Sequence, residues 1–441
     1  MVSPQLNRAR VHGLFGYLDH EIEFTAGLPF VILYGANGVG KTTVLKMLNA
    51  VYENKFEDLM EIPFGALELE FSDGAKVFAI GRSSEQDGTL SQVQVHMVRR
   101  PGEKPVFWEM HRRSAMTPRL RKWLQTETSW RPIERRLWQD VSDGETLTET
   151  ELVEMFGDIV GQSDTGDRNE PQPKALELFL NTMSSQYIGT DRLTIDRGSR
   201  AARNRTTQRV NYHSQDLRRQ IHRAVTREAN LSHELDRTFP MRLLADSDEF
   251  LSTEAEVRHK YNEQNSHRAR LRQIGLISNM PEMQLPPGEI DPWKLKAMSL
   301  FLQDAEKRIS TYDSVLPRFS LFHEMINSRF VGKKIQITSR GLEIEIERTG
   351  RHLEPAMLSS GEQHELIMTY ELIFKSQAGQ LILIDEPELS LHSVWQQHFF
   401  DDLQRILRLT GSRAMVATHS PQIVDRWTEA MVPLHPGVKN A

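Results

Sequence analysis

Apolar and polar positions change their period several times along the 441 residues. Residues 11–24, "VHGLFGYLDHEIEF", alternate as two strands around a turn would. Phe30–Tyr34, "FVILY", is an unbroken apolar run, the pattern of a strand covered on both faces in a parallel sheet. In "TVLKMLNAVYE" the side chains of Val44, Leu45, Leu48 and Val51 recur at helical spacing. "GALELEF", "KVFAI" and "VQVHMV" then predict a meander of strands.

From about Pro105 to Ser320 the pattern turns to charged, helix-like segments. Helices are expected over Gln208 to Arg237, over Ser252 to Ile274, and from near Pro292. "SDTGDRNEPQP" (163–173) and "MPEMQLPPGEIDP" (280–292) read as loops. No heptad persists far enough for a long coiled-coil arm, and no internal repeat is present. Strands return after Val331, where "KKIQITSRGLEIEIE" predicts a hairpin turning near Arg340 and Gly341. A serine-serine-glycine turn and a helix follow, then "QLILIDEPE", a helix from about Ser393 to Leu409, and "AMVATHSP". Strand-turn-helix units at front and back thus bracket a helical middle. The expectation is one α/β core split by a mainly helical insertion, with segments 1–104, 105–320 and 321–441.

Composition adds exclusions. There is no cysteine, so disulfides, thiolate metal sites and cysteine nucleophiles are ruled out, and a cytoplasmic location is expected. No apolar run reaches the length of a membrane span, and "MVSPQLNRAR" lacks the apolar core of a secretory signal, so no membrane contact is expected. The net charge of −6 is unevenly distributed. Arg99 to Arg136 holds 11 basic and 4 acidic residues, and Asp140 to Glu170 holds 10 acidic residues against one arginine. Arg192 to Arg223 then carries nine arginines and two aspartates. Such blocks are solvated faces, or surfaces that meet an opposite charge.

The chemistry-bearing motif is "GANGVGKTT", residues 35–43. Glycines let backbone N–H groups wrap a phosphate, Lys41 reaches its outer oxygens, and the Thr42 hydroxyl ligates Mg²⁺. Asn37, Gly38, Val39, Gly40, Lys41, Thr42 and Thr43 are therefore the expected nucleotide-binding residues, with ATP and Mg²⁺ as cofactors. "LILIDEPE" ends an apolar strand in two carboxylates. Asp385 is placed to hold Mg²⁺ through water, and Glu386 to polarise the attacking water. His419, after a third apolar strand, is placed to reach the γ-phosphate. Lys41, Glu386 and His419 form the expected catalytic set. In "AMLSSGEQHELIMTYELIF" (356–374), Ser359 or Ser360 can cap the helix, and Glu362 or Gln363 can complete a capping box.

The P-loop, "LSSGEQ", "IDEPELSLH" and a histidine after the next strand, in that order, resemble the head of an ABC-class ATPase of the SMC, RecF and OLD branch. The resemblance covers roughly residues 5–100 and 320–425. It implies an α/β fold: a P-loop NTPase head with a mixed central sheet and an antiparallel β subdomain, interrupted by the insertion. It also implies that the serine-glycine turn is a signature motif meeting the γ-phosphate held by a second copy's P-loop, so that two ATPs are sandwiched head to tail. Ser359 would contact the phosphate, Gly361 would present backbone, and Glu362 would take the Gln-or-Glu position, with Ser360 standing where a glycine is usual. Gln186 in "SSQYIGTDRL" is the candidate Q-loop glutamine that senses Mg²⁺. Glu388 to His392 would form the loop facing the partner copy.

Twenty-two residues follow His419, too few for the Toprim nuclease domain of OLD proteins. The tail is similar to ATPases of two-gene anti-phage systems, the AriA component of PARIS ahead of PtuA of Septu. That likeness implies a homo-oligomer, a head-to-tail dimer built into a hexamer as a trimer of dimers. It would hold a separately encoded nuclease of Toprim or HNH type and release or activate it on a phage-encoded trigger. A DNA-mimic protein suits an arginine-rich surface, because its carboxylates imitate phosphates. The alternative is a RecF-like ATPase that binds DNA directly in repair or maintenance. A P-loop kinase or GTPase leaves the signature turn and His419 unexplained, and no N-K-x-D occurs.

Overall fold

The structure, a computed structural model, describes residues 3–83, 90–100, 102–111, 118–134, 137–142, 144–148, 151–153, 155–156, 170–189, 201–245, 253–277, 284–338, 341–390 and 393–435. Two compact units divide the chain. One is built from Met1–Phe24, Gly35–Ser185 and Val432–Ala441, the other from Thr25–Tyr34 and Gln186–Met431.

In the first unit the alternating segments pair into a six-stranded antiparallel sheet. Its order is Leu18–Glu23, Leu6–Leu14, Ala66–Phe71, Lys76–Ser83, Leu90–Val98 and Val106–His111. Period-2 patterning decides which face is covered: Leu67, Leu69 and Phe71 are buried, while Ala66, Glu68 and Glu70 between them are half-buried. The helix Lys41–Tyr52 turns Val44, Leu45, Met47, Leu48 and Val51 inward. A second, three-stranded sheet, Trp130–Glu134, Leu137–Asp140 and Thr146–Thr148, has its own core of Leu120, Leu124, Trp130, Trp138 and Leu152.

These strands lie within residues 105–320, where the sequence pattern predicts mainly helix. The antiparallel sheet runs on to His111 instead of closing near 104, and the long helices begin at Ala201. The edge strand Val106–His111 keeps a weak alternation because Phe107 is 47% exposed, and the small sheet's strands are only three to five residues long. Strands that short carry little period. The predicted loop at 163–169 lies outside the described residues.

In the second unit Leu381–Asp385, Arg413–Thr418 and Phe30–Tyr34 pair in parallel, with Asp385 opposite Ala417 and Thr418 opposite Tyr34. Every residue of Leu381–Asp385 is buried, as expected for a parallel strand covered on both faces. Residues 186–188 of the strand Ser185–Ile188 extend this sheet beyond Leu381–Asp385. The helices Leu316–Asn327, Ser360–Tyr370 and Phe399–Thr410 share one core with it, through Phe319 and Phe322, Leu366 and Tyr370, and Phe400 and Ile406. The helices Ala201–Leu244, Glu254–Gln273 and Pro292–Ser310 form the helical part of the insertion and reach the same core through Leu217 and Ile221, Leu271, and Ile309. The hairpin Lys333–Thr338 with Gly341–Ile346 pairs Thr338 with Gly341, and the predicted turn residue Arg340 lies outside the described residues. Among the described residues no helix is long and apolar enough to cross a membrane.

One polar cluster ties the helices of this unit together. Arg329, with 10% of its side chain exposed, pairs with Glu365 on Ser360–Tyr370 and with Asp402 on Phe399–Thr410. Glu365 is fully buried, so removing the guanidinium strands a carboxylate in the core. Arg329→Met is expected to cost about 3–5 kcal/mol of stability, read as a lower urea midpoint at unchanged slope. A loss under about 1 kcal/mol would show that the cluster does not hold these helices.

Candidate nucleotide-binding and hydrolysis site

The P-loop is shaped by glycines at positions where a side chain cannot stand. Gly40 caps the helix Lys41–Tyr52 at φ = 87°, and a Cβ there would lie 2.6 Å from Leu14 Cδ2. A Cβ on Gly35 would meet the Leu434 carbonyl oxygen at 2.5 Å. Asn37 and Gly38 are exposed, whereas Val39 is buried and anchors the loop. The helix begins without a side-chain cap or an acidic residue in its first turn. Its leading N–H groups and partial positive charge therefore form an anion cradle, which Thr42 and Thr43 flank, both half-buried. Lys41 is 5% exposed, and its Nζ donates to the carbonyls of Gly35 at 2.8 Å and Ala36 at 3.1 Å. The ammonium thus lies within the curl of the loop. This glycine-built cradle and buried lysine fit a nucleotide's phosphates.

His20, outside the motif, supports the loop. Its Nε2 lies 2.8 Å from the Val39 carbonyl, and burial holds the ring below its ordinary pKa of 6.5. The folded ring resists a proton that the unfolded chain takes up, so stability rises with pH through that window and is lost below about 6.5. His323, also lowered by burial and then by Lys334, acts in the same direction. Thermal melts are expected to fall as pH drops from about 7 to 5, and His20→Phe is expected to flatten part of that slope. An unaltered slope in the variant would remove His20 from the account.

On the second unit, Asp385 ends its strand at 1% exposure. Tyr187, which nothing in the local sequence marks, brings its hydroxyl to 3.4 Å from Asp385 Oδ2. Glu386 follows at φ = 44°, a left-handed conformation uncommon for a non-glycine, and its N–H donates to the Ala417 carbonyl at 2.9 Å. His419 Nε2 stands 3.7 Å from Glu386 Oε1, with 31% and 28% of the two side chains exposed. The strand order brings this predicted carboxylate and histidine together, since Asp385 and Ala417 are register partners.

Gln186 faces elsewhere. Its amide donates to the Glu371 carbonyl at 3.3 Å and accepts from Ser376 Oγ at 3.1 Å. The segment Glu371–Lys375, which continues the helix Ser360–Tyr370, is wound as a π-helix, a form frequent at functional sites. Arg209 pairs with Glu371 at 2.9 Å, Lys375 with Asp216 at 3.1 Å, and Tyr370 donates to Asp216. Burial and then the bond to Asp216 push the Tyr370 phenol up. The long insertion helix is therefore fastened to the end of the helix that Ser359 begins.

Ser359 caps that helix in a full capping box. Its Oγ accepts from the Glu362 N–H at 3.3 Å, and Glu362 Oε2 accepts from the Ser359 N–H at 2.9 Å. Burial works to raise the Glu362 carboxyl, but Lys333 at 2.5 Å and Ser359 outweigh it and hold it below its usual range. Ser359 and Ser360 are exposed, and a Cβ on Gly361 would meet nothing within 4 Å. The turn is open on its outer side. Leu391 and His392 of the expected partner-facing loop lie outside the described residues.

The parallel sheet and glycine-built phosphate loop define a P-loop ATPase domain of the ABC class. The chain belongs to the family described as "AAA domain, putative AbiEii toxin, Type IV TA system", which matches residues 30–425. Curated relatives include the lipoprotein-releasing system ATP-binding protein LolD of Paramagnetospirillum magneticum, 28% identical over 120 residues, 26% of this chain and 52% of that protein. LolD of Ruegeria pomeroyi is 36% identical over 72 residues, 16% of this chain and 30% of that protein. The matches thus span about half of these relatives' length or less. Similar solved structures include an Smc head domain from Pyrococcus furiosus bound to the C-terminal domain of ScpA. It has a TM-score of 0.36 and 14% identity, over 99% of this chain and 95% of that one. The SMC head domain from Thermotoga maritima gives a TM-score of 0.31 at 10% identity, over 98% and 97%.

Proposed function

We propose that this chain binds Mg-ATP through Asn37 to Thr43 and hydrolyses it with Glu386 as general base, His419 beside the γ-phosphate and Lys41 on the β- and γ-oxygens. The observation that carries this reading is the pair Glu386 and His419, held 3.7 Å apart at the ends of adjacent parallel strands. Thr42 and Asp385 are the residues that would hold Mg²⁺, an ion usually bound by one or two carboxylates with phosphate oxygens and water. The ion would draw charge from the phosphates during transfer. Gln186 would act less as a ligand than as a link from this strand to the π-wound segment, given its bonds to Glu371 and Ser376. The turn Ser359, Ser360, Gly361, with both serines exposed and Glu362 fixing its cap, suits docking against the ATP of a second copy.

In the cell, this ATPase would be the sensor and scaffold of an anti-phage system of the PARIS or Septu kind. It would form an ATP-sandwiched oligomer that holds a separate nuclease until a phage component binds. The toxin-antitoxin wording of the family description supports that setting. Arg218, Arg219, Arg223 and Arg227 are exposed along Ala201–Leu244 and suit a polyanionic trigger. They favour equally a second reading, a RecF-like ATPase gripping DNA. A pull-down of Glu386→Gln protein from its native locus separates the two. A co-purifying nuclease supports defence, and DNA without a protein partner supports repair.

A further inference from the structure

Glu388 was expected only to face a partner copy, yet its carboxylate turns inward. Oε1 accepts two hydrogen bonds at 2.8 Å, one from the Thr418 hydroxyl and one from the His419 backbone N–H. Thr418 is fully buried, and its Oγ1 in turn accepts from the Ser420 N–H at 3.0 Å. Gln396 closes the ring: its amide donates to the Glu388 carbonyl at 3.2 Å and accepts from Ser420 Oγ at 3.3 Å. Two glutamates of one turn thus bracket one histidine, Glu386 at its ring and Glu388 at its backbone. Glu386 meanwhile holds a left-handed φ, which persists only where neighbouring bonds over-determine it.

We propose that Glu388 is a positioning residue for ATP hydrolysis, clamping the Thr418–His419 peptide so that the His419 ring stays against Glu386. The proposal rests on the reading of Glu386 and His419 given above. A bond serving stability alone would shift melting and leave the chemical step unchanged. A clamp acts through His419, and its loss has no further effect once that ring is gone.

The test is steady-state Mg-ATP turnover of the full chain as Glu388→Met, Glu388→Gln, His419→Ala and the double variant Glu388→Met/His419→Ala, with melting temperatures recorded. Met keeps length and bulk but accepts neither bond, whereas the Gln carbonyl accepts both. Glu388→Met is expected to lose about 10- to 100-fold in kcat with KM within about twofold, the scale of misorienting a reactive group. Glu388→Gln is expected within about threefold of wild type, and the double variant no slower than His419→Ala alone. Wild-type turnover in Glu388→Met, or losses that multiply in the double variant, would overturn the proposal. If Glu388→Met does not fold, Thr418→Val replaces it, and unchanged kcat there overturns the proposal equally. A fully active His419→Ala would instead defeat the reading of the site itself, and the clamp with it.

Discussion

Lys41→Ala is expected to abolish ATP binding at concentrations that saturate the wild type, and turnover with it. The ammonium is buried and sits within the phosphate loop, bonded to Gly35 and Ala36 carbonyls. Bound phosphate would exchange those neutral acceptors for charged oxygens. Each charge-assisted bond lost costs about 1.5–3 kcal/mol, so two amount to a hundredfold or more in affinity. Lys41→Arg is not a conservative replacement, because a planar fork does not fit a curl sized for a point charge. Titration of a fluorescent ATP analogue checks both variants, with melts to show that each is folded. Wild-type affinity in a folded Lys41→Ala protein would remove the P-loop assignment.

The P-loop was legible because backbone geometry dictates its residues. Gly35 and Gly40 stand where a Cβ would collide, and Gly40 also needs a positive φ, so the motif records the shape directly. The strands Phe30–Tyr34 and Leu381–Asp385 were legible for a similar reason, since only a two-sided burial tolerates unbroken apolar runs. What stayed hidden depends on partners far off in the chain. Tyr187 meets Asp385 across 198 positions and Gln186 meets Glu371 across 185, and no local period encodes either. Alternation along Ser185–Ile188 says that neighbouring side chains part, not which one reaches the carboxylate. The strands between Val106 and Thr148 were missed because charge and brevity blur their period. Ser359 is a different case. A helix cap and a signature serine call for the same residue, so the pattern fits both roles, and the observed capping box leaves the outer side of the turn open.

Glu386→Gln is expected to bind ATP with wild-type affinity and to hydrolyse it at least about a hundredfold more slowly. The amide keeps the shape of the carboxylate and tolerates the left-handed φ of 44° no worse, so the turn and its bond to Ala417 should persist. What disappears is the base. Neutral glutamine cannot take the proton of the attacking water, nor face the His419 ring as a carboxylate does at 3.7 Å. Single-turnover hydrolysis of radiolabelled ATP isolates that step from product release. The same variant reports on assembly, because a nucleotide that is bound but not consumed stabilises whatever state holds it. Light scattering with ATP should then find a larger share of dimers or higher oligomers in Glu386→Gln than in wild type, and none of that gain in Lys41→Ala. Normal turnover in the Gln variant would assign the base elsewhere. Slow turnover without any nucleotide-dependent assembly would keep Glu386 as the base and set aside the sandwich between copies.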